Sequence, residues 1–282
     1  MKFRILINTQ KLPILYRHRI ISLFKEALKL SDPEYKDFLY DSNTTKPFTF
    51  NLFLPKGFTI KKEPLQIDEK FTPEDYPELR EMETFYLPEN TFLTIWISST
   101  DYRFLISLYN GLQKLKTFNF SSDDTMLVNG EKLTWEIKKV FAIEDRVVMS
   151  RKVLLKTCSP VLIEKSINGK KKPVLFTDDD FEKELNFVMD KILKSLRGYG
   201  LKEPLSFKVA VDPKNRKPLA KSQKVKHTLK EFREKTGLPY MTLTVNRGMF
   251  QIEGDPEDIN YMLKIGIGNR TGQGFGMVEV VG

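Results

Sequence analysis

The predicted elements of the chain follow the order β-α-β-β-α-β twice, once in each half, and this order predicts an α+β protein. We expect two tandem ferredoxin-like (RRM-like) domains with antiparallel sheets, formed by residues 1–145 and residues 146–282. The composition is that of a folded chain, since 40% of its 282 residues are hydrophobic and 29% are charged. This length is sufficient to bury a substantial core.

The first half of the chain shows the alternation of a strand and then the spacing of a helix. Phe3, Ile5 and Ile7 alternate with mostly polar residues, which indicates a strand buried mainly on one face. The predicted elements of this half are a strand over residues 2–9, helices over 16–30, 33–39 and 101–116, strands over 48–54, 84–86 and 91–97, a proline-rich, charged surface excursion over 55–81, and a hairpin that joins 126–128 to 133–140 around Asn129 and Gly130.

The second half repeats the order of elements without a visible sequence repeat. Asp178, Asp179 and Asp180 supply an N-cap and first-turn acids for a helix that Gly198 and Gly200 end. The predicted elements are a strand over residues 153–163, a helix over 181–196, strands over 205–211, 241–246 and 249–253, a tight turn at Arg247 and Gly248, a helix from Asp255 and Pro256 to Leu263, and a last strand over 277–281.

A net charge of +9 and a pI near 9.3 indicate a polyanionic partner, because Lys and Arg that neutralise phosphates release condensed counterions. Basic residues concentrate in the second half, among them Lys214, Arg216, Lys217 and Lys224. Residues 213–218 have the composition of a hairpin tip, which would project charge toward RNA. A solvated charged face is the alternative interpretation.

Other features exclude several classes of partner and site. The chain has no long apolar run and no signal-like start, so we expect a cytoplasmic protein that binds no membrane. Cys158 is the single cysteine, and His18 and His227 are the only histidines. This count excludes an internal disulfide and predicts no metal site and no cofactor. His227 lies in the basic stretch and is expected at the surface or in contact with RNA.

Five glycines, Gly266, Gly268, Gly272, Gly274 and Gly276, fall within eleven residues near the C-terminus. Such density favours positive φ or the close approach of another molecule. Consecutive exposed N–H groups form an anion nest, and Lys264 and Arg270 add charge, so a phosphate site is predicted. A P-loop or dinucleotide fingerprint does not fit, since the chain ends six residues after Gly276. A glycine hairpin without a ligand is the alternative, and Phe275 is expected to anchor the loop rather than stack on a base.

The pattern Gly-Ile-Gly, five residues, Gly-Phe-Gly and a terminal strand resembles the glycine-rich loop of the CRISPR-associated (Cas) endoribonucleases of family six, in the repeat-associated (RAMP) superfamily. Residues 46–53 and 155–163 also resemble strands of that family. The resemblance implies a partner, CRISPR repeat RNA, in precursor and mature guide form. It also implies cleavage within repeats by 2′-hydroxyl attack, without a metal, that leaves a 2′,3′-cyclic phosphate. Further CRISPR effector subunits and a homodimer are left open.

The resemblance also assigns candidate catalytic residues. Many family members place a histidine base shortly before the Phe-Thr-Phe strand, and Tyr40 stands at that position here. Tyrosine, with a pKa near 10, is a poor base at pH 7. His18 is the expected substitute, since related nucleases carry a histidine on the first helix, and Lys46 matches a position that stabilises the transition-state phosphate. His18 as a polar residue in a first helical turn, and Lys46 as a loop lysine before a proline, are the alternatives.

Three functions are consistent with the sequence. The first is a repeat-specific endoribonuclease whose glycine loop and basic residues hold the RNA. The second, favoured by the missing loop histidine, is a catalytically weak or inactive member that only binds repeat RNA. The third is an unrelated tandem ferredoxin-like binding protein. Cleavage without metal separates the first two, and preference for repeat RNA over random RNA at matched salt tests the third.

Overall fold

The computed structural model describes residues 2–40, 44–121 and 126–281. Its helices are α1 (Arg17–Ser31), α2 (Pro33–Tyr40), α3 (Tyr102–Leu115), α4 (Phe181–Arg197), α5 (Lys230–Thr236) and α6 (Pro256–Ile265), with short 3-10 turns at Pro77–Leu79 and Thr271–Gln273. The strands of the first half are β1 (Lys2–Asn8), β2 (Lys11–Pro13), β3 (Phe48–Phe53), β4 (Thr59–Glu63), β5 (Leu65–Gln66), β6 (Met82–Tyr86), β7 (Leu93–Ser99), β8 (Thr117–Asn119), β9 (Leu127–Val128) and β10 (Thr134–Ile143). Those of the second half are β11 (Lys152–Thr157), β12 (Glu164–Ile167), β13 (Lys170–Pro173), β14 (Ser206–Val209), β15 (Ala220–His227), β16 (Met241–Glu253) and β17 (Val278–Val280).

The first sheet has the strand order of a ferredoxin-like domain. Its order is β3-β7-β1-β10-β8, and β1 pairs antiparallel with both β7 and β10. Phe24 of α1 meets Phe50 of β3 edge to face, with ring centroids 5.4 Å apart. Phe48 of β3 stacks on Phe104 of α3 at 4.4 Å. The apolar positions that predicted the strands and helices therefore meet in one core.

The second sheet repeats this order as β14-β16-β11-β17, with β15 also paired to β16. Its core includes Phe176, Phe181, Phe207 and Phe250, whose neighbouring ring centroids lie between 4.5 and 5.3 Å apart. The predicted α+β fold of two tandem ferredoxin-like domains is confirmed. The division of the chain near residue 145 stays a prediction. No helix in the described ranges is long and apolar enough to cross a membrane.

The predicted hairpin of residues 126–128 with 133–140 is wrong. Its turn forms, since Asn129 and Gly130 have φ angles of 51° and 74°. The two strands then separate, because β9 pairs with β5 whereas β10 pairs with β1 and β8. Burial in the sheet, which depends on distant residues, decides these pairings.

The predicted surface excursion, residues 55–81, is partly built into the fold. Strand β4 pairs with β6 in a three-stranded sheet of order β2-β6-β4. Leu65 and Ile67 are buried in the core of the first half. Phe71 and Leu79 are buried in the same core, so four apolar residues attach this charged, proline-rich stretch.

The predicted tight turn at Arg247 and Gly248 is wrong, because β16 runs through both residues. A Cβ added at Gly248 would lie 2.2 Å from the carbonyl oxygen of Leu219. Glycine is therefore needed for the close approach of the chain that enters β15. A single glycine in a strand pattern is compatible with a tight turn or with the close approach of another backbone segment. Helix α5, within the basic stretch, lacks the apolar spacing that would predict it.

Candidate active site between the two halves

The glycine-rich loop, residues 266–277, is buried between the two halves of the chain. Gly266 and Gly274 have φ angles of 87° and 83°, which confirms the expected positive φ. A Cβ on Gly274 would lie 2.7 Å from the Phe50 ring, and one on Gly266 would lie 2.9 Å from the Thr49 Cβ. The predicted close approach is present, but the neighbour is β3 of this same protein. All five glycines are buried, so an exposed phosphate-binding loop is the wrong description of most of it.

Phe275 anchors this loop, as predicted. Its ring is fully buried, and the guanidinium of Arg17 lies 5.2 Å from the ring centroid. The Thr49 hydroxyl donates a hydrogen bond of 2.9 Å to the Phe275 carbonyl. A ring in this position has no free face on which an RNA base could stack.

Most N–H groups of the loop have acceptors within the protein. Gly276 donates to the Pro160 carbonyl at 2.8 Å, and Asn269 donates to the Leu162 carbonyl at 2.7 Å. Three consecutive N–H groups, those of Arg270, Thr271 and Gly272, have no acceptor in the described part of the chain. The anion nest predicted from the glycines is therefore confined to these three groups.

These three residues line a cleft of about 660 Å³, which we call the junction cleft. It lies between α1, residues 44–46, the glycine-rich loop and α5. The cleft brings together the predicted catalytic residues His18, Tyr40 and Lys46 with Arg270 and Gly272. Cations dominate its lining, and those in the described ranges are Arg19, Lys25, Lys46, Lys230, Arg233 and Arg270. A cleft of this charge suits an anionic ligand.

Lys46 enters the cleft from the loop before β3. Its ammonium group donates to the Leu39 carbonyl and lies 5.2 Å from the Tyr40 ring centroid. The ammonium group of Lys25 lies 4.6 Å from the same ring. Burial, with the charge of Lys25, lowers the pKa of Lys46 from its ordinary value. A Cβ on Gly272 would lie 2.8 Å from the Lys46 side chain, so the glycine leaves room for this lysine.

Tyr40 ends α2, with its hydroxyl buried and without a hydrogen-bond partner. Burial raises the pKa of Tyr40 above its ordinary value. The residue therefore keeps its proton at pH 7, and its ring serves as the face on which Lys25 and Lys46 converge.

His18 lies in the first turn of α1, and neither of its ring nitrogens is exposed or hydrogen bonded. Burial, and next the charge of Arg19, hold the pKa of His18 well below 6.5, although the nearby Leu15 carbonyl acts in the opposite direction. The imidazole is thus neutral at pH 7, which is the form that a base requires. Its nitrogens reach a substrate only if the ring turns toward the cleft.

His227 is buried, so its predicted surface position is wrong. Only 1% of the residue is exposed, and burial lowers its pKa to about 3. Its Nε2 lies 3.1 Å from Oε1 of Gln273. The alternation along β15, where Val225 and His227 are buried between more exposed lysines, is the signal that could have found it.

The other predicted RNA-binding cations lie apart from the junction cleft. Lys214, Arg216 and Lys217 are exposed on the turn closed by the Val211 to Pro218 bridge, as the predicted hairpin tip requires. Lys224 is exposed on β15 and lines a second groove of about 830 Å³. Lys264, predicted to add charge to the glycine loop, belongs instead to the last turn of α6.

Lys25 and Gln273 are among the residues of the junction cleft that were not predicted from the sequence. Lys25 lies seven residues after His18, a helical spacing that places both on one face of α1 and could have indicated it. Gln273 ends the 3-10 turn of the glycine-rich loop, and no motif marks it.

The comparisons with known proteins agree with this architecture. Residues 143–280 match the family model described as CRISPR associated protein Cas6, C-terminal. A solved structure described as that of a Cas6-related gene from Pyrococcus furiosus has a TM-score of 0.71 and 15% identity, and the match covers 100% of this chain and 98% of that one. A RAMP protein described as binding different RNA substrates has a TM-score of 0.70 and 16% identity over 100% of both chains.

A third solved structure, described as CRISPR associated protein Cas6, has a TM-score of 0.66 and 18% identity over 100% of this chain and 99% of that one. No curated protein sequence matches the chain. The C-terminal half of the chain thus matches the Cas6 C-terminal family model, and its whole length shares the fold of these Cas6 and RAMP structures.

Proposed function

We propose that this protein is an endoribonuclease that binds CRISPR repeat RNA and cuts the precursor transcript within each repeat, without a metal ion. The observation that carries the proposal is the junction cleft, where Lys46 and Arg270 line the same space as His18 and Tyr40, and where residues 270–272 have N–H groups without an acceptor in the described part of the chain. Such cations and donors stabilise the negative charge that develops on phosphorus during 2′-hydroxyl attack. The match of residues 143–280 to the Cas6 C-terminal family model supports the same activity.

In the proposed reaction, a base removes the proton of the ribose 2′-hydroxyl, and the oxygen attacks the adjacent phosphorus. The bond to the 5′-oxygen breaks, that oxygen takes up a proton, and a 2′,3′-cyclic phosphate remains. Lys46 and Arg270 hold the phosphate oxygens, together with the N–H groups of the loop. The buried glycines act indirectly, because Gly272 and Gly274 allow the loop to pack against Lys46 and Phe50, and Gly268 allows it to approach the Leu162 carbonyl.

His18 is the proposed base, since its lowered pKa keeps the imidazole neutral at pH 7. Tyr40 is proposed to position the ammonium groups of Lys25 and Lys46, since its raised pKa makes it unsuitable as a base. The exposed cations Lys214, Arg216, Lys217 and Lys224 are proposed to contact RNA phosphates outside the cleft. The product would remain bound in the cytoplasm as a guide for other CRISPR effector subunits.

A second function, binding of repeat RNA without cleavage, is favoured by one observation. The nitrogens of His18 and the hydroxyl of Tyr40 are all buried and unpartnered, so the described side chains present no accessible neutral base to a substrate in this conformation. An inactive member would keep the cations and the loop while lacking the proton transfer.

Incubation of the protein with repeat RNA in EDTA tests the proposal and separates the two functions. One set of RNAs carries a single 2′-deoxy nucleotide at successive positions, and a scrambled RNA at matched salt is the control. Cleavage in EDTA that one deoxy position blocks supports the nuclease. Tight, repeat-specific binding without cleavage supports the second function. Equal affinity for repeat and scrambled RNA contradicts both.

A further inference from the structure

We infer that the side-chain amide of Gln273 donates a hydrogen bond to the phosphate at the cleavage site, and that His227 is the positioning residue that orients this amide. The inference rests on the proposed function and adds to it one catalytic contact and one supporting residue. Gln273 lines the junction cleft and follows directly on the three N–H groups that lack acceptors.

The orientation of the amide follows from its two neighbours. Nη1 of Arg270 lies 3.5 Å from Oε1 of Gln273, and a guanidinium can only donate. The amide atom facing Arg270 must therefore be the oxygen. The same oxygen lies 3.1 Å from Nε2 of His227, so the imidazole also donates to it. The carboxamide oxygen thus accepts from both neighbours.

This arrangement leaves the NH2 group of Gln273 unused. No acceptor for this NH2 group lies within the described ranges, and its nitrogen is not buried. The cleft is lined by cations, and the amide NH2 group adds two free N–H bonds to it. This group can donate to a phosphate oxygen, and because the amide is uncharged it does not change the charge of the site.

His227 is held so that it must act as a neutral donor. The residue is 1% exposed, and its ring packs edge to face on Phe275 with centroids 5.8 Å apart. Burial first, and then the charges of Arg17 and Arg270, lower the pKa of His227 and so disfavour a second proton on the imidazole. A fixed neutral imidazole keeps its Nε2 proton directed at the glutamine oxygen, and this prevents the amide from turning over.

Gln273→Ala is the first test, with Gln113→Ala, an exposed glutamine of α3, as the matched control. At saturating protein, the alanine variant should cut repeat RNA about 100-fold more slowly than the wild type, because one transition-state donor is lost. Its affinity for the RNA should fall only about three- to tenfold. Cleavage at the wild-type rate overturns the inference.

The second test asks whether His227 acts through Gln273. His227→Leu removes the donor and should slow cleavage, whereas His227→Gln keeps an N–H near the Nε2 position and should restore most of the rate. In the Gln273→Ala background, His227→Leu should cause no further loss, since residues that act as one unit are not additive. A further loss there, in variants whose thermal unfolding matches, would show a general structural role and overturn the positioning role.

The outcome for the wild type distinguishes failure of this inference from failure of the proposed function. If the wild-type protein binds repeat RNA without cutting it, the proposed cleavage is wrong. The contact of the Gln273 amide with the RNA phosphate is then tested by RNA affinity alone. Gln273→Ala must then still weaken repeat-RNA binding by about threefold or more, while Gln113→Ala does not. Unchanged affinity in that case overturns the contact as well.

Discussion

The junction cleft and the hairpin of residues 211–218 hold their positive charges in opposite ways. In the cleft, the side chain of Arg270 is 22% exposed and its Nε lies 3.6 Å from the Glu164 carboxylate. On the hairpin, Lys214, Arg216 and Lys217 are exposed, and none of them has an ion pair in the described part of the chain. Charges fixed by packing suit chemistry at one phosphate, whereas solvated charges suit capture of a polyanion. On this difference we base the proposal that the basic residues of the cleft and of the hairpin have separate roles.

The largest effect is expected from Lys46→Ala in the junction cleft. Loss of one preorganised donor to the transition state should slow cleavage at saturating protein by about 100-fold, with a much smaller change in affinity. Lys29→Ala, an exposed lysine at the end of α1, is the matched control and should cut normally. Equal rates for the two variants would remove Lys46 from the proposed site.

Acidification should destabilise the fold around the junction cleft through its two buried histidines, and it should not act through the hairpin of residues 211–218. Burial holds the pKa of His18 well below 6.5 and lowers the pKa of His227 to about 3. The unfolded chain therefore binds protons first as the pH falls below about 6.5, so each histidine removes up to about 1.4 kcal/mol of folding free energy per pH unit. Urea unfolding at about pH 7 and about pH 5 measures this loss. His227→Gln should lose less than the wild type, and identical losses would contradict the buried neutral histidine.

Gly274→Ala should show that the buried loop is a packed element of the fold. Its φ of 83° and the Phe50 ring 2.7 Å from an added Cβ should cost about 1–3 kcal/mol of unfolding free energy. Gly198→Ala is the control for backbone strain alone, since Gly198 has a φ of 87° with nothing within 4 Å of an added Cβ. Urea unfolding compares them. If both variants lose the same stability, the contact with Phe50 contributes nothing.

The smallest effect is expected from the hairpin, in the variant with Lys214, Arg216 and Lys217 all replaced by alanine. The slope of log affinity against log salt should become shallower by up to about 2, since each single-stranded phosphate contact contributes about 0.7. Cleavage at saturating protein should not change. A variant with alanine at Lys56, Lys70 and Lys132, exposed lysines of the first half, carries the same loss of charge. Identical slopes for the two triple variants would contradict a specific role for the hairpin.

Much of the fold could be predicted because each half has an amphipathic pattern that its own sheet satisfies. The alternation at Phe3, Ile5 and Ile7 gave β1, and these three side chains are buried. The strand pairings that were predicted wrongly depend on residues that are far apart in the sequence. Gly248 resembles a turn in the sequence, but it meets the backbone of Leu219.

The candidate site was predictable only in part, for a similar reason. The glycine spacing indicated the loop, and resemblance indicated His18, Tyr40 and Lys46, which the fold does bring to one cleft. The contact between His227 and Gln273 joins residues 46 positions apart on different elements. Gln273 lies within the glycine-rich loop but is not one of its glycines, and His227 belongs to no local motif, so only the folded chain shows that the two residues meet.

The position of the scissile phosphate can be determined by a crystal structure of the protein with repeat RNA that carries a 2′-deoxy nucleotide at the position that blocks cleavage. We expect the following phosphate in the junction cleft, within hydrogen-bond distance of the Lys46 ammonium group and of the N–H groups of residues 270–272. If that phosphate instead lies on the hairpin or in the groove beside Lys224, the junction cleft is not the cleavage site.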